Sequence, residues 1–155
     1  MDYYLGKPST IGPVSLEAAR NQINFWFATG GAGFCLSRSL ITKMRTYVPN
    51  GGFELLCENL KLPDDIALGY LINYLLNVNL TVIPKFHSHL EPLYDIPTKN
   101  FHNQISFSAG SYRADEENVV KVPEIYPAKD DPQRFRSLHC FLYGHGCDQN
   151  LWLTS

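Results

Sequence analysis

Apolar residues Ala67, Leu71, Leu75 and Val78 recur at steps of four and three, the spacing of one helix face. Asp64 and Asp65 stand directly before that run, behind Pro63. A carboxylate there accepts hydrogen bonds from the unpaired amides of the first turn, so one of the pair is expected to cap the helix. The short β-branched run Leu80 to Ile83, bounded by Pro84, predicts a strand. Upstream, Ser37 is expected to cap a helix carrying Leu40, Ile41, Met44 and Val48, which ends before Pro49 and Gly51-Gly52. Residues 1–24, punctuated by Gly6, Pro8, Gly12 and Pro13, read as a loop-rich lead-in with one short turn at Leu16 to Arg20. Downstream, Gln104 to Ser108 and Asn118 to Val122 have strand composition and are joined by GSYRADEE, a hairpin connection. Within it, Asp115-Glu116-Glu117 reads as a solvated turn.

Composition changes this picture little. A chain of 155 residues with 45% apolar and 18% charged residues suits one folded domain. A net charge of -2 gives no basic footprint for nucleic acid. The opening MDYYLGKPST is polar and contains Pro8, so neither a signal peptide nor a membrane anchor is visible in it. The cysteines, Cys35, Cys57, Cys140 and Cys147, form no C-x-x-C, which argues against a zinc ribbon or thioredoxin-type site. Cys140 and Cys147 enclose FLYGHG, a loop flexible enough for a disulfide, and Asn79-Leu80-Thr81 is a glycosylation sequon. Both lean toward an oxidising, secretory setting.

The candidate chemistry follows from the same central run. Carboxylates at the helix start and the imidazoles of His87 and His89 beyond the strand are the groups a metal-assisted or base-assisted reaction needs. The two imidazoles are expected to turn to opposite sides, so that at most one of them reaches a metal. The bland alternative is a capping Asp pair and two structural histidines. After Phe25-Trp26-Phe27, the turn Gly30-Gly31-Ala32-Gly33 lets the backbone bend sharply or lets another group approach it closely. It matches neither the dinucleotide fingerprint nor the P-loop, and tight packing of strand on helix is the favoured reading. Arg134 and Arg136 are read as one surface charge and one partner of a carboxylate.

The segments FATGGAGFCLSR, LPDDIALGY, FHSHLE and DPQRFRSLHC, in that order, resemble the Fringe glycosyltransferases over about Tyr4 to Cys147. The resemblance implies an α/β fold, the C-terminal portion of a glycosyltransferase A-type fold, with the domain running over residues 25–150. It implies transfer of GlcNAc from UDP-GlcNAc, with Mn²⁺ and with inversion, to O-fucose on EGF-like repeats of Notch-type receptors. The motif positions give Asp65 as the base and His89 as the metal ligand, with Asp64 as cap or support and His87 structural. Gly30, Gly31 and Gly33 are then expected to line the sugar cleft, and Trp26 to be either an acceptor platform or core. The resemblance also implies a Cys140–Cys147 disulfide, leaves Cys35 without its usual upstream partner and gives Cys57 no counterpart. The Golgi lumen, in a type II membrane protein, is the implied location.

The family carries an Asp-Asp-Asp metal motif just before the segment matching YLGKPS, where this chain begins. The expectation is therefore an acceptor-side part of such an enzyme, with little or no turnover by itself. The alternatives are a non-catalytic module that binds EGF repeats, and a related β-1,3-glycosyltransferase with another donor. All of this requires Asp65 and His89 to line one cleft.

Overall fold

In the computed structural model, which describes residues 1–18, 21–113, 116–144 and 147, Tyr4 is the residue around which the first half packs. It lies on β1 (Tyr4–Gly6), the middle strand of a three-stranded sheet. β1 pairs antiparallel with β4 (Cys35–Leu36) and parallel with β5 (Leu80–Val82), with Tyr4 opposite Leu36 and Leu80. The Tyr4 hydroxyl accepts the Ala28 N–H at 2.7 Å, and its ring meets Phe34 edge-on. Around it Ala28, Leu40, Met44, Leu71 and Ile72 close a buried core.

The loop reading of residues 1–24 is corrected. Besides β1, β2 (Val14–Ala18) and β3 (Asn21–Phe25) form an antiparallel hairpin. Its register sets Val14 against Phe25 and Leu16 against Ile23, so the apolar positions of both strands fall opposite one another. The expected turn at Leu16 to Arg20 is strand through Ala18, and its last two positions lie outside the described residues. Gly6 is the last residue of β1, while Pro8, Gly12 and Pro13 fall between the strands.

Ser37 caps α1 (Arg38–Met44) by accepting the Leu40 N–H at 3.3 Å. Leu40 and Met44 turn inward, Ile41 turns to solvent, and Val48 lies past the helix end. α2 (Gly52–Leu60), which no sequence signal announced, follows and ends at Lys61 in the left-handed region, φ 54°.

α3 (Asp64–Gly69) starts ahead of the expected cap, whichever of the two Asp residues is taken for it. The Pro63 carbonyl already accepts the Ala67 N–H at 2.9 Å, so Pro63 holds the cap position and both Asp64 and Asp65 sit inside the first turn. Gly69 lies against the backbone of the aromatic run: a Cβ there would stand 2.3 Å from Phe27 Cβ. The helix then widens into a π turn over Tyr70–Leu75, in which Leu76 N–H reaches back to Leu71 O at 3.0 Å. The extra residue rotates the apolar face. Ile72 is therefore fully buried, Leu75 is 37% exposed, and Leu76 takes the core contact expected of Leu75.

A second core gathers Leu93, Phe101, Val120 and Leu138. It lies among the hairpin β6 (Gly110–Arg113)–β7 (Glu116–Asn118) and α4 (Phe135–Tyr143). The strands expected at Gln104 to Ser108 and Asn118 to Val122 do not form as such. The hairpin instead occupies the supposed connection, with Gly110 opposite Asn118 and with Glu116 and Glu117 in strand; Asp115 lies outside the described residues. Segment 104–109 stays irregular because its groups bond elsewhere: Ile105 N–H to Lys85 O at 3.0 Å and Ser106 Oγ to Ala32 O at 2.5 Å.

Cys140, on α4, is disulfide-bonded to Cys147, while Cys35 and Cys57 are free thiols. Mixed helices and small sheets make the chain α/β in character. Among the described residues no helix is long and apolar enough to cross a membrane.

Candidate functional site

The glycine turn Gly30–Ala32 is where the two candidate groups converge. From one side comes Asp65, delivered by the first turn of α3. Its Oδ2 accepts the Gly30 N–H at 2.9 Å and its Oδ1 the Ile66 N–H at 2.9 Å, which fixes the plane of the carboxylate. Each oxygen keeps a further lone pair for another donor. Asp64 Oδ1 accepts the Asp65 N–H at 2.9 Å, so Asp64 steadies its neighbour while facing solvent. A cleft of about 220 Å³ opens here, lined by Gly30, Phe34, Phe53, Asp64, Asp65 and Leu68. The Asp65 charge reaches the core: the Tyr4 hydroxyl is pushed up to about 12, by burial first and by the nearby Asp65 carboxylate in addition, against the lowering effect of the Ala28 N–H.

From the other side comes His89. A Cβ on Gly31 would stand 3.4 Å from its Nδ1 and 3.5 Å from its Cε1. A Cβ on Gly110 would stand 3.0 Å from its Cβ and Cγ. The imidazole is thus held between two bare backbones and is half-buried. Its ring nitrogens make no hydrogen bond among the described residues. Asp65 and His89 therefore touch consecutive residues of one turn, but the cleft beside Asp65 is lined by Gly30 and not by His89, Gly31 or Gly33, which were expected to share it.

His87 is placed differently. It is buried, its Nε2 bonds Gln104 Oε1 at 2.9 Å, and its ring stacks on Phe107 with 5.9 Å between centroids. Its Nδ1 lies 3.4 Å from Glu91 Oε1, within ion-pair reach but without hydrogen-bond alignment. The two imidazoles part because residues 86–90 are irregular backbone and turn. An extended strand would have put positions i and i+2 on the same face, so alternation is not the reason.

Several groups that serve this loop carried no sequence signal. Glu91 accepts the Ser88 N–H at 3.2 Å through Oε1 and pairs with Lys7 through Oε2, tying the loop to the end of β1. Ser106 bonds both the His87 N–H and the Ala32 carbonyl. Asn118 and Gly110 bear on His89 itself. The exception is the Ser-x-x-Glu spacing of Ser88 and Glu91, which in the sequence hints at a local side-chain-to-backbone bond.

The remaining candidates spread out. Gly33 has φ 79°, a backbone conformation that favours glycine, and closes the turn with open space where a Cβ would be. Trp26 is half-buried, donates its backbone N–H to Asn73 Oδ1 at 2.8 Å, and does not line the Asp65 cleft. Arg134 bonds the Tyr126 carbonyl at 3.1 Å and approaches Glu124, while Arg136 lies over the Tyr126 ring. Among the described residues no three His, Cys, Asp or Glu side chains come together as a metal site. Asp65 and His89 by themselves do not make up a divalent-cation site, and His89 could supply at most one ligand to an ion held mainly by groups outside the described residues.

The family described as "Fringe-like" matches residues 1–146. The chain is 42% identical over 147 residues to the β-1,3-N-acetylglucosaminyltransferase lunatic fringe of Xenopus laevis, covering 92% of this chain and 39% of that protein. It is 44% identical over 149 residues to the Fringe glycosyltransferase of Drosophila melanogaster, covering 92% and 36%. For the human lunatic fringe the figures are 43% over 147 residues, 92% and 38%. The chain thus spans less than two fifths of the length of these curated relatives.

Proposed function

The chain belongs to the Fringe-like family, and on that footing we propose that it forms the acceptor side of an inverting glycosyltransferase. The reaction is transfer of GlcNAc from UDP-GlcNAc to the 3-hydroxyl of O-linked fucose on EGF-like repeats of Notch-type receptors. The observation that carries the reading is the convergence of Asp65 and His89 on Gly30 and Gly31. Asp65 is the base. Held in plane by two N–H groups, its carboxylate takes the proton as the fucose oxygen bonds to the anomeric carbon, while the bond from that carbon to the UDP oxygen breaks on the opposite face. Asp64 and the phenyl rings of Phe34 and Phe53 shape the cleft beside it.

His89 is the one side chain assigned to the donor's Mn²⁺, through a ring whose nitrogens are not engaged elsewhere among the described residues. The ion's further ligands are not a cluster among these residues, so the chain by itself is expected to consume UDP-GlcNAc slowly at most. A glycosyltransferase A-type fold agrees with the mixed sheet and its flanking helices. Residence in the Golgi lumen, as part of a type II membrane protein, agrees with the Cys140–Cys147 disulfide and the exposed Asn79 of its sequon.

The test is amide mapping by NMR with an O-fucosylated EGF-like repeat. Gly30, Ile66 and their neighbours should shift with the fucosylated repeat and not with the bare one. Shifts confined to other surfaces would refute the acceptor assignment.

A further inference from the structure

Asn118 is fully buried, and its side-chain hydrogen bonds all go to one short loop. Its Nδ2 donates to His89 O at 2.7 Å and to Glu91 O at 2.6 Å, and its Oδ1 accepts the Leu93 N–H at 2.9 Å. Three bonds from one amide fix the backbone from position 89 to 93, and a buried amide satisfied in this way is costly to disturb. Directly opposite Asn118 in the hairpin register is Gly110, whose bare backbone lies against the His89 Cβ, Cγ and Cδ2. One rung of the β6–β7 ladder thus grips His89 twice, by its carbonyl and by its ring. Gly31 closes the other side of the ring.

We infer that Asn118, with Gly110 across the ladder, is the positioning residue that holds the His89 imidazole against the glycine turn. The inference rests on the functional reading above for why that imidazole should be held, but its geometry stands apart from it. Asn118 does not line the Asp65 cleft, and it bonds the His89 backbone carbonyl, not the ring nitrogens. It acts through His89, restricting the ring before a ligand arrives, which is how a supporting group raises the precision of a site.

The experiment is ¹³C relaxation of the His89 ring in the 155-residue chain, with the His87 ring as internal reference. In Asn118→Ala the His89 ring should lose order while His87, held by Gln104 and Phe107, keeps its own. Val120→Ala, which opens the same core beside Asn118, should leave His89 ordered. If Asn118→Ala fails to fold, Gly110→Ala serves: its Cβ must displace the ring, so the His89 ring signals should move while the Asn118 side-chain amide signals stay. Unchanged His89 order in folded Asn118→Ala, equal loosening in Val120→Ala, or unmoved His89 signals in Gly110→Ala would overturn the inference. The two claims are judged apart: the donor KM of His89→Ala in a full-length Fringe relative carrying this segment tests the donor-side role of His89, whereas the ring-order series judges Asn118.

Discussion

The Asp65 carboxylate accepts the Gly30 N–H at 2.9 Å, and this one bond fastens the start of α3 to the glycine turn 35 residues earlier in the chain. Asp65→Ala removes it together with the bond from Ile66, and should lower the unfolding free energy by about 1–2 kcal/mol, since bonds to an ionised acceptor exceed neutral ones. Asp65→Asn keeps an acceptor oxygen and should cost about half as much. Urea unfolding measures both, and indistinguishable midpoints for all three proteins would mean that the bond holds nothing.

Gly31→Ala places a methyl group 3.4 Å from His89 Nδ1 and 3.5 Å from its Cε1, in direct van der Waals contact with the ring. Its backbone is not in the left-handed region, so strain is small. Stability should change by less than about 1 kcal/mol. The His89 ring resonances should nevertheless move, and those of His87 should not. Unmoved His89 signals would place the ring away from the turn.

The π turn has a direct consequence for packing. Leu76 lies on the first core and Leu75 is 37% exposed, the reverse of the order that a uniform helix predicts. Leu76→Ala should destabilise by about 2 kcal/mol or more and Leu75→Ala by less than about 1. The opposite ranking in chemical denaturation would restore the uninterrupted helix.

Asp131 supplies a pH dependence. Burial by itself would raise its pKa, but the Ser137 N–H and hydroxyl, the Arg136 N–H and the Arg134 charge outweigh burial and hold it below the usual carboxylate range. Its oxygens accept the Arg136 N–H at 3.2 Å and the Ser137 N–H at 2.8 Å, capping α4. With the folded pKa depressed, the unfolded chain binds the proton more readily, so the contribution is present above the unfolded value of about 4 and fades as pH falls through the folded one. Asp131→Asn should cost about 1–3 kcal/mol at neutral pH, a gap that narrows below about pH 4. Urea midpoints measured from pH 7 to pH 3 check it; a gap that stays constant over that range would contradict the sign.

Local signals were legible in the sequence where one residue settles the matter. Ser37 precedes an apolar run and caps it; Leu80 to Ile83 is β-branched and pairs with β1; Cys140 and Cys147 close a short loop. The readings that failed depend on partners distant in the chain or on a small change of helical pitch. Pro63 usurped the cap because its carbonyl was already in place for Ala67. The β2–β3 hairpin hid among Gly and Pro because its alternation is short and rich in polar residues. Asn118 looked like an ordinary strand residue, since its meaning lies in carbonyls 27 and 29 positions upstream. Asp65 and His89 were legible as residue types and motif positions, whereas their meeting at Gly30 and Gly31 is a property of the folded chain alone.

The most direct test replaces the matching segment of the Xenopus laevis lunatic fringe with this chain and follows GlcNAc transfer from UDP-GlcNAc to an O-fucosylated EGF-like repeat. The chimera should be active, and Asp65→Asn should slow transfer by about 10²–10⁴-fold with donor KM little changed, the range expected for loss of a general base. His89→Ala should instead weaken the donor, raising its KM. An active chimera whose transfer rate is indifferent to Asp65→Asn would contradict the account at its centre.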